Sequence, residues 1–515
     1  MKNKKETIAK GIISLLFSQV LIKIVGLAYK LYLTNKEGFG DKGNAIYSSG
    51  FQIYALLLTF SSTGVPNAIA KLVSERVAIG DNRGAHRIFK IAFFTFAFFG
   101  LIGTILLFVG AETIATKWLE IPEAKYCLVM LSPSIFFVSI MSVLRGYFNG
   151  RQNLSVMARS QTIEQICKTI FTILFVEIIA NISNNNTVLM AGIANFATTI
   201  ATGASFFYIY EYYRSRRKEI AQDISQSVNY IPTRVRKTLK KILKESVPIS
   251  ITALMSSFNK NIDLFTIVRI LKKYMDENEA KIQYGMLSGK IDTLCLLPIS
   301  LNVPFVTGMV PTIAKSIARN DIEQLEKKIN FFLKVTILIA FPSTVGLIIF
   351  AKPILILLFP NASNGDMLLK INSISVFFAL ISQTVNGILQ GIGKNKIPMF
   401  AFFVGMIFKF FTNIVLIKYF GINGAAIGNI VCNFVVCTIV FYEFRKYIRI
   451  KINLKELIFK PILATFVMGI SSIYLFFALN RIFLYKMATI LTISIAIAIY
   501  LILICFLKLV KVPKQ

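Results

Sequence analysis

The stretch RGYFNGRQNLSVMARSQTIEQICKTIFTILFV, residues 145–176, decides the fold. It begins as the end of one apolar helix, continues through a short polar turn and ends as a second apolar helix. The second helix carries Glu164 and Lys168 at positions where apolar side chains would face lipid. A charge at that depth is costly, so such residues usually face a polar path or a partner. The stretch therefore predicts a membrane helix hairpin with polar groups inside it.

A related hairpin lies 241 positions later in the chain. Its residues Gly387, Gly391 and Lys409 correspond to Gly146, Gly150 and Lys168. Two other motifs recur in the same order. Val-Pro followed by Ile-Ala-Lys occurs at 65–71 and 310–315, and the segment AGIAN at 191–195 reappears as AAIGN at 425–429. These pairs predict two six-helix lobes, and because six is even, both lobes insert with the same orientation.

The composition predicts an all-α polytopic membrane protein. Hydrophobic residues make up 55% of the 515 residues, and they form blocks of about 20, the length that crosses a bilayer core. The predicted domains are an N-lobe (1–213), a basic cytoplasmic linker (214–245), a C-lobe (246–448) and an extension of two extra helices (449–515). Fourteen spans are predicted, at 8–33, 46–74, 88–110, 123–148, 155–180, 187–212, 246–271, 283–314, 330–351, 368–391, 397–418, 424–444, 457–480 and 487–508.

The net charge of +32 does not indicate nucleic-acid binding, because the distribution of the basic residues among the loops is typical of a membrane protein. The same distribution predicts the orientation of the chain in the membrane. The segments assigned to the cytoplasm are 1–10, 71–90, 145–159, 213–245, 315–334, 394–396, 445–460 and 508–515. They hold 38 of the 57 lysines and arginines, whereas the opposite loops hold 11. Basic residues concentrate in cytoplasmic loops of membrane proteins. We therefore expect a multi-pass membrane protein with both termini in the cytoplasm.

Several charged residues fall inside the predicted spans. The basic ones are Lys23, Lys30, Lys168, Lys260, Arg269, Lys290, Lys370 and Lys409, and the acidic ones are Glu164, Glu177, Asp263 and Asp292. Some of the cations lie near enough to a span end to extend to the interface; these are Lys30, Arg269, Lys290 and Lys370. Glu177 is also close to a span end. The remaining four lysines are harder to place in lipid.

Two interpretations of these charges remain open. Helical spacing allows Glu164 to pair with Lys168, and Lys260 to pair with Asp263, so one interpretation is that the charges only lock helices together. However, the cations outnumber the acids, and a surplus of buried positive charge favours an anionic ligand. Lysine and arginine both bind phosphate groups, through different geometries. The surplus therefore indicates a path for a phosphate or diphosphate.

No catalytic constellation is visible in the sequence. The single histidine, His86, lies in a polar loop between predicted spans, and the six cysteines lack metal-ligand spacing. No glycine-rich phosphate loop precedes a Lys-Ser or Lys-Thr pair. We therefore expect a transporter that is not an enzyme and has no cofactor and no metal site.

Three segments carry a family resemblance. GVPNAIAKLVSE (64–75), LRGYFNGRQNLSVMARSQTIEQICK (144–168) and LQGIGKNKIP (389–398) resemble the polysaccharide-transport branch of the multidrug/oligosaccharidyl-lipid/polysaccharide (MOP) exporter superfamily. Within it, the chain is most similar to the stage V sporulation protein B-like proteins and Gram-positive lipid II flippases. The resemblance implies two lobes around a cationic cavity and two C-terminal helices that guide a lipid tail. It also implies alternating-access flipping of an undecaprenyl-diphosphate-linked saccharide to the outer leaflet.

The resemblance also implies roles for the charged residues. In lipid II flippases the first span carries a basic residue, a glycine three residues later and then an Arg-acid pair. Lys23 and Gly26 match this pattern, whereas Tyr29-Lys30 replaces the pair. The predicted substrate-binding residues are Lys23, Lys30, Lys168, Lys260, Arg269, Lys290 and Lys409. The predicted charge-setting or coupling residues are Glu164, Asp263 and Asp292.

The expected partners are the lipid-diphosphate-linked saccharide, membrane lipids and the cell-wall synthesis machinery. Three alternatives stand against the flippase. A cation-coupled multidrug antiporter of the same superfamily predicts twelve spans and unpaired carboxylates. A membrane glycosyltransferase needs catalytic acids on long external loops, and a structural scaffold leaves the buried lysines without a role. The sequence does not specify the glycan or the energy source.

Overall fold

Every regular element of the computed structural model is a helix within the residues that it describes, which are 8–59, 64–227, 234–318, 321–394, 396–448 and 455–507. The chain divides into two compact units, Met1–Arg269 and Ile270–Gln515. The first contains α1 (Ile8–Asn35), α2 (Gly40–Thr59), α3 (Val65–Ala78), α4 (Asn82–Thr113), α5 (Ala124–Gly150), α6 (Leu154–Ile182), α7 (Thr187–Ser215), α8 (Arg217–Ser225) and nearly all of α9 (Val235–Leu271).

The second unit has the same helical character. It contains α10 (Glu277–Gly285), α11 (Asp292–Ala318), α12 (Ile322–Ile349), α13 (Ala351–Leu358), α14 (Asp366–Gly391), α15 (Lys396–Phe420), α16 (Ile422–Tyr447), α17 (Lys460–Leu479) and α18 (Tyr485–Phe506). Short π-helical segments continue α4 at Ile114–Trp118, join α10 to α11 at Met286–Ile291, and precede α17 at Lys455–Phe459.

The helices confirm a polytopic membrane protein. In the described ranges, nine helices are long and apolar enough to cross a membrane. Each of the fourteen predicted spans falls on a helix or on two consecutive helices, but the count of fourteen membrane spans remains a prediction. The long helices outside the nine include α1, α6 and α9, which carry most of the charges predicted to lie within the membrane.

The outer faces of the apolar helices suit lipid. On α4, Phe94, Phe98 and Val109 expose more than half of their surface. Soluble monomers rarely expose contiguous apolar patches of this kind. The basic segment 214–245, predicted as a linker, contains α8 and the first turns of α9.

Glycines of the repeated motif allow two helices to approach closely in each unit. A Cβ atom built on Gly146 of α5 would lie 2.7 Å from the carbonyl oxygen of Pro66 on α3, and one on Gly150 would lie 2.7 Å from that of Ala70. In the second unit, a Cβ on Gly391 of α14 would lie 2.9 Å from Ile313 of α11. The Gly-x-x-x-Gly and Val-Pro motifs therefore recur together because they pack against each other.

The two halves differ in how they would tolerate a methyl group at these glycines. At Gly146 the obstacle is backbone, whereas at Gly387 the nearest atoms are Cγ1 of Val306 and Cε of Met309, at 2.5 and 2.7 Å. Side-chain ends can move, but a helix backbone cannot move without separating α3 from α5. We expect Gly146→Ala to cost about 1–3 kcal/mol, the usual range for overpacking, and Gly387→Ala to cost less.

The measurement is the unfolding temperature of the purified chain in detergent. Gly346→Ala is the matched control, because nothing lies within 4 Å of a Cβ at that helical position. Alanine favours helix over glycine, so this variant is expected to be neutral or stabilising. A loss in Gly387→Ala equal to that in Gly146→Ala would contradict the distinction between backbone and side-chain obstacles.

Candidate functional site

Two lysines of the first unit lie near each other and have no acidic partner among the described residues. Lys23 on α1 and Lys260 on α9 both have exposed side chains, and they lie close enough to repel each other electrostatically. Across the described residues, no ion pair involves either lysine. Like charges held near one another favour a bound anion, because an anion removes the repulsion.

Lys168 and Lys30 lie against aromatic rings. The Nζ atom of Lys168 is 4.1 Å from the ring centre of Phe51 and 5.2 Å from that of Tyr29. The Nζ atom of Lys30 is 4.9 Å from the ring centre of Tyr47. Aromatic faces attract cations, most strongly where water is excluded, and Lys168 is only 7% exposed. These rings stabilise the buried ammonium of Lys168.

Glu164 pairs with Arg145, and not with Lys168 as the helical spacing allowed. An Nη2–Oε2 distance of 2.8 Å joins the two side chains. Arg145 also donates to the hydroxyl groups of Ser160 and Ser205, at 2.8 and 3.2 Å. The sequence had placed Arg145 among the cytoplasmic loop residues, but α5 extends to Gly150 and buries it. A polar network thus joins α5, α6 and α7.

Asp263 and Arg269 are the other charged residues of α9 within the predicted span 246–271, and they have different surroundings. Asp263 is buried and Lys260 is exposed, so the predicted pair between them is not observed among the described residues. Arg269 donates to Oε1 of Glu120 at 2.8 Å and to the carbonyl oxygens of Lys117 and Trp118. Arg269 therefore fastens the end of α9 to the segment that follows α4.

In the second unit, the buried lysines Lys290 and Lys409 are fully enclosed. Lys290 donates to the carbonyl oxygens of Ala362 and Asn364, at 2.6 and 3.0 Å, and so holds the loop that precedes α14. Lys409 lies on α15 in the same register as Lys168 on α6, and its side chain packs near Gly428 of α16. Asp292 is half-buried at the start of α11.

The structure therefore separates the predicted residues into groups. Lys23 and Lys260 are exposed and lie near each other, Lys30 and Lys168 contact aromatic rings, and Arg269 and Lys290 bind protein atoms. Sequence reasoning missed Arg145 and the rings of Tyr29, Tyr47 and Phe51. The sequence did contain a signal for the Arg145–Glu164 pair, because the two residues lie on helices that are joined by a tight turn. No such signal pointed to the rings, which are common in membrane helices.

Comparison with known families matches most of the chain. A family model described as "Polysaccharide biosynthesis protein" matches residues 8–317, and one described as MatE matches residues 296–415. The chain is 24% identical over 433 residues to the lipid II flippase MurJ of Bacillus subtilis, covering 81% of this chain and 79% of that protein. It is 24% identical to stage V sporulation protein B of the same organism, covering 88% of this chain and 86% of that protein.

Solved structures show the same fold. The lipid II flippase MurJ in an inward closed conformation is 19% identical, covers 96% of this chain and 99% of its own, and has a TM-score of 0.72. An inward-facing multidrug resistance transporter of the MATE family is 16% identical, covers 85% of this chain and 98% of its own, and has a TM-score of 0.68. The flippase structure therefore accounts for more of this chain than the multidrug transporter does.

Proposed function

The chain belongs to the polysaccharide biosynthesis protein family of the MOP exporter superfamily, and on this premise we propose that it flips an undecaprenyl-diphosphate-linked saccharide from the inner to the outer leaflet. The observation that carries the proposal is the exposed pair Lys23 and Lys260, which repel each other and form no ion pair among the described residues. A diphosphate supplies the missing negative charge. The proposed substrate is lipid II or a related cell-wall or polysaccharide precursor.

The diphosphate binds first to the exposed lysines in this proposal. Lys23 and Lys260 contribute hydrogen-bond donors on two separate helices, α1 and α9, so one diphosphate can contact both. Ammonium groups bind phosphate oxygens as compact point charges that rotate freely on flexible stems. Flexible lysine side chains can move away from the diphosphate, which allows the substrate to be released on the other side of the membrane.

In this proposal, Lys168 and Lys30 add positive charge to the site formed by Lys23 and Lys260. The rings of Tyr29 and Phe51 hold Lys168, and the ring of Tyr47 contacts Lys30. A cation held by a ring keeps its full charge, whereas one paired with a carboxylate is neutralised. Lys168 therefore retains attraction for an anion. Lys409, its counterpart on α15, is proposed to have the same role in the second unit.

The acids set the local charge in this proposal. Glu164 fixes Arg145 within the network of α5, α6 and α7, which leaves Lys168 without a carboxylate on its own helix. Asp263 and Asp292 are proposed to set the local charge on α9 and α11. Moving cations between the two sides of the membrane would make transport depend on membrane potential, at about 2.3 kcal/mol per charge per 100 mV.

The multidrug antiporter is the alternative, because MATE transporters share the fold. Two observations favour the flippase. The MATE structure covers 85% of this chain, against 96% for the flippase structure. The neighbouring charges on α1 and α9, Lys23 and Lys260, are both cations, which suit an anion and oppose the cationic drugs that unpaired carboxylates would select. We propose that both termini are cytoplasmic and that the membrane is the bacterial plasma membrane.

The test is rescue of a bacterium depleted of its own lipid II flippase. Cells expressing the wild-type chain are expected to grow and keep their shape, and cells with empty vector to lyse. Lys486→Ala, a change at an exposed position in the first turn of α18, serves as the expression-matched control and should rescue equally. Resistance to cationic drugs without rescue would instead identify an antiporter. Failure of both readouts in cells that express the chain would overturn transport of lipid II.

A further inference from the structure

A basic cavity lies in the first unit, away from the lysines assigned to the substrate. It has a volume of about 100 Å³ and is lined by Leu72, Arg76, Ile88, Lys237, Thr238 and Lys241. These residues come from α3, α4 and the first turns of α9. A water molecule needs roughly 10–15 Å³ of such space, so the cavity has room for a phosphate group.

The lining has an apolar floor and a cationic rim. Leu72, Ile88 and Thr238 are buried, while the side chains of Lys237 and Lys241 are exposed. The hydroxyl of Thr238 at the floor donates to the carbonyl oxygen of Arg234 at 3.3 Å, so the donors for a phosphate are the cations of the rim. An apolar floor below exposed ammonium groups is the arrangement that a charged headgroup with an attached apolar chain requires.

Acidic side chains near the cavity neutralise only part of this charge. Arg76 binds the buried Asp81 at 2.8 Å, and Asp81 also accepts from the backbone N–H of Gly84. Lys241 binds Glu75 at 2.8 Å. Glu245 also lies near Lys241 but pairs with Lys71 at 2.8 Å, so four cations face three carboxylates. The remaining positive charge is that of Lys237, which forms no ion pair within the described ranges.

We propose that this cavity binds the phosphate of an anionic molecule, with the headgroup of an acidic membrane phospholipid as the favoured source. Its residues belong to segments 71–90 and 214–245, which the charge distribution assigns to the cytoplasmic side. The cytoplasmic leaflet carries anionic lipids that attract basic residues near the membrane surface. The site lies apart from Lys23 and Lys260, and the proposal does not depend on what the protein transports.

The experiment uses the full chain purified in a neutral detergent. Binding of a fluorescent short-chain phosphatidylglycerol is titrated, with the matching phosphatidylcholine as the neutral probe. We expect phosphatidylglycerol to bind saturably and phosphatidylcholine not to bind. Lys237→Ala should weaken phosphatidylglycerol binding about fivefold, the effect of one lysine near an anionic partner, and Lys237→Arg should restore most of it.

Lys240→Ala is the matched control, because Lys240 is an exposed lysine of the same helix that does not line the cavity. Equal weakening by Lys237→Ala and Lys240→Ala would overturn the site in favour of diffuse attraction to the basic segment. Inorganic phosphate is the second probe. Competition by millimolar phosphate would support the anion site with a soluble ligand as its source, and saturable lipid binding without such competition would support the phospholipid. Absence of binding by either probe would overturn the proposal.

Discussion

Lys23→Ala and Lys260→Ala are each expected to lower transport of an undecaprenyl-diphosphate-linked saccharide by about thirtyfold. The reason is that each variant removes one charged hydrogen-bond donor from the diphosphate, a loss of roughly 2 kcal/mol. The measurement uses purified protein in liposomes that contain a fluorescent lipid-linked saccharide. A membrane-impermeant reagent that quenches only the outer leaflet then reports the rate of flipping.

Stability separates this effect from simple damage to the fold. Because Lys23 and Lys260 repel each other, removing either charge should leave the unfolding temperature unchanged or raise it. Lys290→Met is the contrasting variant, since the buried ammonium of Lys290 holds two backbone carbonyl groups. That variant is expected to lower the unfolding temperature.

Charge-preserving variants make the prediction stricter. Lys23→Arg and Lys260→Arg keep the positive charge and should retain a substantial part of the flipping rate, while Lys486→Ala should retain all of it. Undiminished flipping by Lys23→Ala and Lys260→Ala together would eliminate the two lysines as diphosphate ligands. The flipping rate of the wild-type chain in the same liposomes tests transport itself, independently of these two residues.

The helices and the internal repeat could be predicted from sequence because both depend on local patterns. Apolar blocks of membrane length predict helices, since every backbone polar group in lipid must be bonded within the segment. Gly146 and Gly387 were recognisable as equivalent because close helix packing leaves no room for a side chain at either. Each of these constraints limits which residue can occupy one position, so it can be recognised in the sequence.

The partners of the charged residues could not be predicted in the same way. Lys290 was assigned to the substrate, yet it binds carbonyl groups more than 70 residues away in the chain. The rings around Lys168 come from α1 and α2, and one Phe or Tyr among many gives no signal. Helical spacing suggested that Glu164 pairs with Lys168, but an arginine on the preceding helix competes successfully for that carboxylate. Geometry between helices decides these contacts.

Arg145→Met is expected to be the most destabilising single change in the first unit, at about 3–5 kcal/mol. Arg145 is 7% exposed and bonds Glu164, Ser160 and Ser205. The variant leaves the carboxylate of Glu164 inside the helix bundle without its partner, and the cost of that unpaired charge is the main part of the loss. The measurement is the apparent free energy of unfolding in mixed micelles.

The double variant Arg145→Met with Glu164→Gln tests whether the unpaired charge on Glu164 causes the loss of stability, because it removes both charges together. Ser160 and Ser205 still bond each other at 2.8 Å, so few polar groups lose their partners, and the double variant should recover at least half of the lost stability. Arg214→Met is the control, since Arg214 pairs with Glu211 in full exposure and such pairs contribute little. If the double variant is as unstable as Arg145→Met alone, then the packing of the arginine side chain, and not the charge left on Glu164, holds α5 against α6.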